Sequence, residues 1–171
     1  MKAYKLFRIK DGKLYPLYVN ATKPTPLNTW LKAQEGQRTP DGKHVKSRLG
    51  NLAYRPGWHC SEYPIATHIG AKAKPSDKYP SYRPADQVWA EVEIMDKIDW
   101  QSVADRQGKN PRDKQLRFVP ENGYYHYKTN PRMYGSWLIA GNIKVTKILT
   151  DDEVIAINQP TGVQDLPRYS A

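Results

Sequence analysis

The sequence predicts an α+β domain whose antiparallel or mixed sheet can divide in two, with three or four short helices and long loops. Three observations predict it. Apolar-alternating runs joined by turn dipeptides recur at 3–9 with 13–19, at 115–119 with 124–128 and at 137–140 with 143–149. Strand-like runs outnumber helical ones, and no strand–helix–strand rhythm of a parallel sheet is present. The 171 residues suffice for one core, assigned to residues 1–158, with 159–171 as a C-terminal tail.

The elements follow in order. AYKLFRI and KLYPLYV flank Asp11-Gly12, a pair that accepts a tight hairpin turn. Alternation puts Tyr4, Leu6 and Arg8 on one face of the first strand and Lys5, Phe7 and Ile9 on the other. Asn28 can cap a short helix over Thr29–Glu35, stopped by Gly36. Residues 37–48 are basic and form either a hairpin arm or a loop. Pro56-Gly57 turns the chain into a strand at 58–61, and Pro64 can open a helical turn that packs Ile65, Ala66 and Ile69. Residues 71–87 are a proline-rich loop, long enough to serve as a lid or binding loop, with Tyr79, Tyr82 and Arg83 as its chemistry. Val88–Met95 alternates cleanly, with Val88, Ala90, Val92 and Ile94 on one face. Asp99 caps a helix reaching about Gln107, and Thr150-Asp-Asp-Glu153 matches a capping box opening a last helix through about Asn158.

Composition narrows the function classes. No run approaches the roughly 18 apolar residues of a membrane span. A single cysteine excludes an internal disulfide framework and suits the reducing cytoplasm. Mean hydropathy of −0.80 with 14 prolines indicates much loop, while 5 tryptophans and 12 tyrosines argue for a packed chain. The net charge of +10 is concentrated: residues 1–50 hold 11 Lys and Arg against 3 acids, and residues 101–150 hold 9 against 3. Such blocks attract nucleotides, nucleic acid or acidic partners.

The chemistry concentrates in LAYRPGWHCSEYPIATHIG, residues 52–70. Here Arg55, Trp58, His59, Ser61 and Tyr63 surround a strand-to-helix elbow. Alternation separates His59 from Cys60, so neither a zinc site nor a Cys-His nucleophile pair is expected, and no metal is assigned. No glycine-rich phosphate cradle occurs. Lys43, Lys46 and Arg48 offer a phosphate-contacting edge. Tyr125, Tyr127 and Arg132 belong to an aromatic and basic stretch of the kind that stacks single-stranded nucleic acid.

Three of these segments together resemble the ADP-ribosyltransferase fold. YKLFRI, ending in Arg8, looks like the first strand, whose terminal basic residue holds the ribose of NAD. GWHCSEYPIATHIG, with Ser61, Tyr63 and Ala66, is similar to the element that packs nicotinamide, and VWAEVEI follows it as in the family. YGSWLIAGNIKV resembles the strand after the catalytic glutamate, but Ser136 stands in that glutamate's place, and no carboxylate lies between Glu121 and Asp151.

The resemblance implies catalytic roles for Arg8, His59 and Ser61, NAD as cofactor, and Arg8, Arg55, Trp58 and Tyr63 as its binding residues. LAYRPGWH is also similar to small open reading frames of phages and mobile elements. Two expectations follow: a nucleotide-handling domain that binds NAD or a nucleic-acid-linked group or transfers from it, or a non-enzymatic nucleic-acid-binding or inhibitory protein.

Overall fold

A computed structural model describes residues 1–128 and 130–168. In chain order its strands are β1 (Lys2–Lys10), β2 (Lys13–Tyr15), β3 (Trp30–Lys32), β4 (His44–Ser47), β5 (Gly50–Ala53), β6 (Trp58–Ser61), β7 (Gln87–Ile94), β8 (Ile98–Asp99), β9 (Gly123–Tyr127), β10 (Trp137–Ala140) and β11 (Asn142–Ile148). Two α-helices accompany them, α1 (Gln101–Asp105) and α2 (Asp151–Asn158). Nine strands form one mixed sheet in the order β3-β11-β7-β1-β6-β10-β9-β8, with β2 also paired to β1. The β8–β9 pair is parallel. β4 and β5 make a separate hairpin.

β1 is the axis. Asp11 and Gly12 both take positive φ, 51° and 75°, and this turn sets Arg8 opposite Tyr15 and Lys10 opposite Lys13. One edge of β1 pairs with β7, from Lys2 opposite Glu93 to Arg8 opposite Gln87. The other edge is shared. β6 meets it at Tyr4 opposite Ser61, and β2 meets it from Arg8 onward. Lys5, Leu6 and Phe7 lie between, and there the sheet forks. One half is β3-β11-β7-β1-β2 and the other is β6-β10-β9-β8. The chain crosses between the halves at Gly141, where β10 ends and β11 begins. A Cβ on Gly141 would strike the carbonyl of Pro120, so the crossing requires glycine.

Three clusters hold these layers. Phe7, Cys60, Val92, Leu138 and Val145 pack on one face. Tyr4, Leu6, Trp89, Leu149 and Val154 pack on the other, under α2. Tyr125, Tyr127, Leu116 and Ile139 close the far half against α1. The alternation expected in β7 holds, with Ala90, Val92 and Ile94 on one side and Trp89 on the other. Each such aliphatic side chain contributes about 2 kcal/mol by leaving water.

Several expectations are corrected. The stretch expected as a helix over 29–35 instead holds the edge strand β3, because the backbone of Trp30–Lys32 pairs with the free edge of β11 and Asn28, at φ 58°, turns the chain onto it. After Pro64 only a single turn forms, closed by Ile69 N donating to the Ala66 carbonyl at 3.1 Å; the Ala66 N–H goes to the Asp165 carboxylate, and no helix continues. Residues 115–119 are turn and loop, and β9 pairs instead with β10 and β8. β10 and β11, expected as a hairpin, belong to different halves of the sheet. The expected helix at 99–107 is the shorter α1, with Asp99 accepting from Gln101 N at 2.9 Å. Asp165, in the segment expected as a tail, is buried against Arg83.

Candidate functional site

A cavity of about 680 Å³ opens where the sheet forks, a size ordinary for a small-molecule site. β1 supplies Lys5 and Leu6, β6 supplies Trp58 and His59, and β10 supplies Trp137. Pro56-Gly57 sets this arrangement. Gly57 holds φ 133°, and a side chain there would press into Ile139, so the turn lies flat on β10 and delivers His59 opposite Ile139. The β4–β5 hairpin forms one wall through Val45 and Leu52, and Tyr18 and Leu17 form another.

The electrostatics are one-sided. Lys5, Lys23, Lys32 and Arg55 line the cavity, and among the described lining residues there is no carboxylate. Lys5 is 9% exposed. Its Nζ donates to the His59 carbonyl at 3.0 Å and lies over the Phe7 and Trp58 rings at 5.5 and 5.7 Å. Burial holds its pKa below the ordinary lysine value. Arg55 stacks on Tyr127 at 4.1 Å, with Nε donating to Gln115 Oε1 at 2.7 Å and Nη2 to the Tyr127 hydroxyl at 3.2 Å. His59 Nδ1 lies 3.2 Å from the Gly57 carbonyl, which can only accept, so Nδ1 carries the proton and Nε2 the lone pair. Burial, with the positive charges of Arg55 and Lys5, pushes the His59 pKa down to about 3. His68 is lowered as well, by burial and Arg83, with Asp165 opposing.

Of the residues expected at the site, Arg55, Trp58 and His59 meet at this cavity. Trp58 is fixed by its Nε1 donating to the Leu31 carbonyl at 3.1 Å. Arg8 is turned elsewhere, stacking on its cross-strand neighbour Tyr15 at 5.1 Å and donating to the Ala21 carbonyl at 3.1 Å. Ser61 is buried and donates to the Tyr63 carbonyl at 2.8 Å, while Tyr63 sets its ring edge against Tyr134. Cys60 is a core residue whose thiol burial pushes up to about 11.

The residues read as a nucleic-acid surface divide. Lys43, Lys46 and Arg48 are exposed on the β4–β5 hairpin. Tyr125 and Tyr127 are buried in the far-half core, so neither offers a face to a base. Arg132 is exposed and stacks on Tyr79 at 3.6 Å. Arg83, expected in a lid, is instead a buried structural cation.

Lys5 was hidden by Arg8, the more obvious cation of the same strand. Its signal is positional: alternation puts it between Ala3 and Phe7, on the apolar face. Glu62 was hidden similarly. Its carboxylate accepts from Ser136 N at 3.1 Å and Oγ at 2.7 Å, and His126 Nδ1 lies 2.9 Å from that hydroxyl. An acid therefore does approach the position of Ser136, from the neighbouring strand's end. No helix among the described residues is long and apolar enough to cross a membrane. Comparison with protein families, with curated proteins and with solved structures gave no match.

Proposed function

We propose that the protein binds a nucleotide, NAD or another base-bearing phosphate ester, in the cavity at the fork. The lining carries this reading: the rings of Trp58, Trp137 and Tyr18 line the cavity together with Lys5 and Arg55, with no carboxylate among the described lining residues. A base needs a flat apolar partner and a phosphate needs positive charge, and this cavity supplies both within one small volume. Of the residues the ADP-ribosyltransferase resemblance assigns to NAD, Arg55 and Trp58 line this cavity, while Arg8 and Tyr63 do not. Ribosyl transfer is less well supported than binding, because the carboxylate that the chemistry would use, Glu62, is bonded to Ser136 and stands outside the cavity wall.

The test is a titration of AMP, ADP and NAD followed by tryptophan fluorescence, which Trp58 and Trp137 report directly. Saturable binding that weakens at least tenfold in Arg55→Ala is expected. Equal affinity in that variant, or none in the wild type, refutes the site.

A second reading, a basic nucleic-acid-binding or inhibitory protein, is favoured by the β4–β5 hairpin. Its Lys43, Lys46 and Arg48 are exposed while its Val45 and Leu52 line the cavity. It requires oligonucleotide affinity falling steeply with salt and weakened by changing those three residues to alanine.

A further inference from the structure

The cavity assembles two histidines that the nucleotide reading does not use. His59 and His68 each meet Trp137 edge-on, at centroid distances of 6.1 and 5.8 Å, and all three line the same space as Lys5 and Arg55. His59 comes from β6 and His68 from the turn region after it, so two chain segments converge on one indole. The Gly57 carbonyl fixes His59 with its Nε2 lone pair free to accept a proton. His68 Nδ1 is buried and has no hydrogen-bond partner among the described residues, leaving an unmet polar atom on a residue of the cavity wall. Two imidazoles, two cations and flat aromatic walls together form the equipment for moving protons around a bound phosphodiester.

Resting on the nucleotide reading above, we infer that this constellation cleaves single-stranded RNA, with His59 as general base, His68 as general acid, and Lys5 and Arg55 holding the phosphate. His59 Nε2 takes the proton from a ribose 2′-hydroxyl, and the 2′-oxygen bonds to the adjacent phosphorus. The bond from phosphorus to the 5′-oxygen breaks, and His68 gives that oxygen a proton. The products are a 2′,3′-cyclic phosphate and a free 5′-hydroxyl. One proton is taken up and one released, so the two histidines exchange charge states and reset through water. The nucleophile is part of the substrate, and no oxidant or reductant takes part. Lys5 and Arg55 line the same cavity and would supply positive charge to the phosphoryl oxygens, and the Trp58 or Trp137 ring would stack on a base.

The charged surroundings agree with this division of roles. His59 is faced by Arg55, Lys5 and the Gly57 carbonyl, and burial with the two cations disfavours its protonated form. His68 is faced by Arg83 and Asp165; burial and Arg83 lower its pKa, and Asp165 opposes them by favouring the protonated ring. Both imidazoles are shifted below the ordinary histidine value, so the state holding one proton between them lies on the acid side. The rate should therefore peak on the acid side and have fallen before pH reaches the ordinary histidine value.

The experiment incubates the full chain with a short end-labelled single-stranded RNA in EDTA, across about pH 4 to about pH 8. The same strand with every 2′-hydroxyl removed serves as control, and AMP binding is measured in parallel. The expected result is cleavage leaving 2′,3′-cyclic phosphates, an acidic optimum, an intact control strand, and a loss of about a hundredfold or more in His59→Gln and in His68→Gln. Melting curves show whether those variants fold. If one does not, the control strand and the pH profile of the wild type still decide. Intact RNA at every pH while AMP binds overturns the cleavage and leaves the binding site standing. Ends bearing 5′-phosphate, cutting of the control strand, or full activity in both folded variants overturn it too. Absence of both AMP binding and cleavage removes the nucleotide reading with it.

Discussion

Lys5 and Arg83 are both almost removed from solvent, at 9% and 2% exposure, yet their surroundings differ in kind. Arg83 is enclosed by acceptors. Its guanidinium donates to both Asp165 oxygens, at 2.7 and 3.2 Å, to the carbonyls of Ile69 and Ala66, and to Gln87 Oε1. Asp165 is completed in turn by Ala66 N and Trp89 Nε1. Lys5 has, among the described residues, one acceptor, the His59 carbonyl, with aromatic rings for the rest. A buried charge is costly unless paired and hydrogen-bonded. The first arrangement meets that condition internally and ties residues 66–70, 83–87 and 165–168 together. The second leaves it unmet, at the wall of a cavity, and an anionic ligand would meet it.

The largest effect that would break this comparison is expected on the closed side. Asp165→Ala strands the Arg83 charge and frees two buried N–H groups, so unfolding free energy should fall by about 3–5 kcal/mol. The melting temperature should then drop by about 10 °C. Replacing both partners, Arg83→Met with Asp165→Leu, should recover part of that loss, because the stranded charge is gone. A single variant that melts like the wild type would show that the pair does not hold the C-terminal segment.

The next effect belongs to the open side. Lys5→Met removes an under-paired buried charge, so the melting temperature should hold or rise. AMP affinity should fall at least tenfold, about 1.4 kcal/mol. If Lys5→Met instead melts as early as Asp165→Ala, Lys5 is a structural cation and the contrast disappears.

Titration sharpens the same contrast. His59 has a folded value near 3 against about 6.5 unfolded, so between those values the unfolded chain binds more protons and stability rises with pH. Its contribution is complete above the unfolded value and is lost as pH falls toward 3. One group gives a slope of at most about 1.4 kcal/mol per pH unit. Denaturant midpoints should therefore climb from about pH 4 to about pH 6.5, and the climb should flatten in His59→Gln. Lys5, lowered by burial, acts in the same sense at alkaline pH, while Cys60, raised from 9.0 to about 11, acts oppositely above pH 9. Cys60→Ala separates the two.

How much of this was legible in the sequence depends on how local each signal is. The Asp11-Gly12 turn, the alternation of β7 and the capping box of α2 depend on neighbours in the chain and formed as expected, although the second hairpin arm, expected over 13–19, is strand only over Lys13–Tyr15. β3 departs from the expected helix because an edge strand is set by a distant partner, here β11, rather than by its own propensity. The hairpin expected at Gly141-Asn142 failed for the same reason: the dipeptide permits a turn, but the sheet's fork sends its two arms apart. At the site, Arg55, Trp58 and His59 were recognisable from their clustering. Lys5 and His68 were placed beside them only by the β1–β6 contact at Tyr4 and Ser61 and by the turns after Pro64. Arg83 and Asp165, 82 residues apart, carried no pairing signal at all.

The smallest effect tests whether the closed side is rigid independently of the open one. α2 covers Leu6 and Trp89 through Val154, and its first turn is held by Thr150 and Glu153, each side chain bonded to the other's backbone N–H, at 3.1 and 3.2 Å. Thr150→Ala removes one of those bonds and should cost about 1 kcal/mol, read as a shift of a few degrees in melting temperature. AMP affinity should not change, since α2 contributes nothing to the described lining of the cavity. A parallel loss of affinity would mean that the layer under α2 positions Leu6 or Leu17 at the cavity wall, and that the two sides are mechanically one.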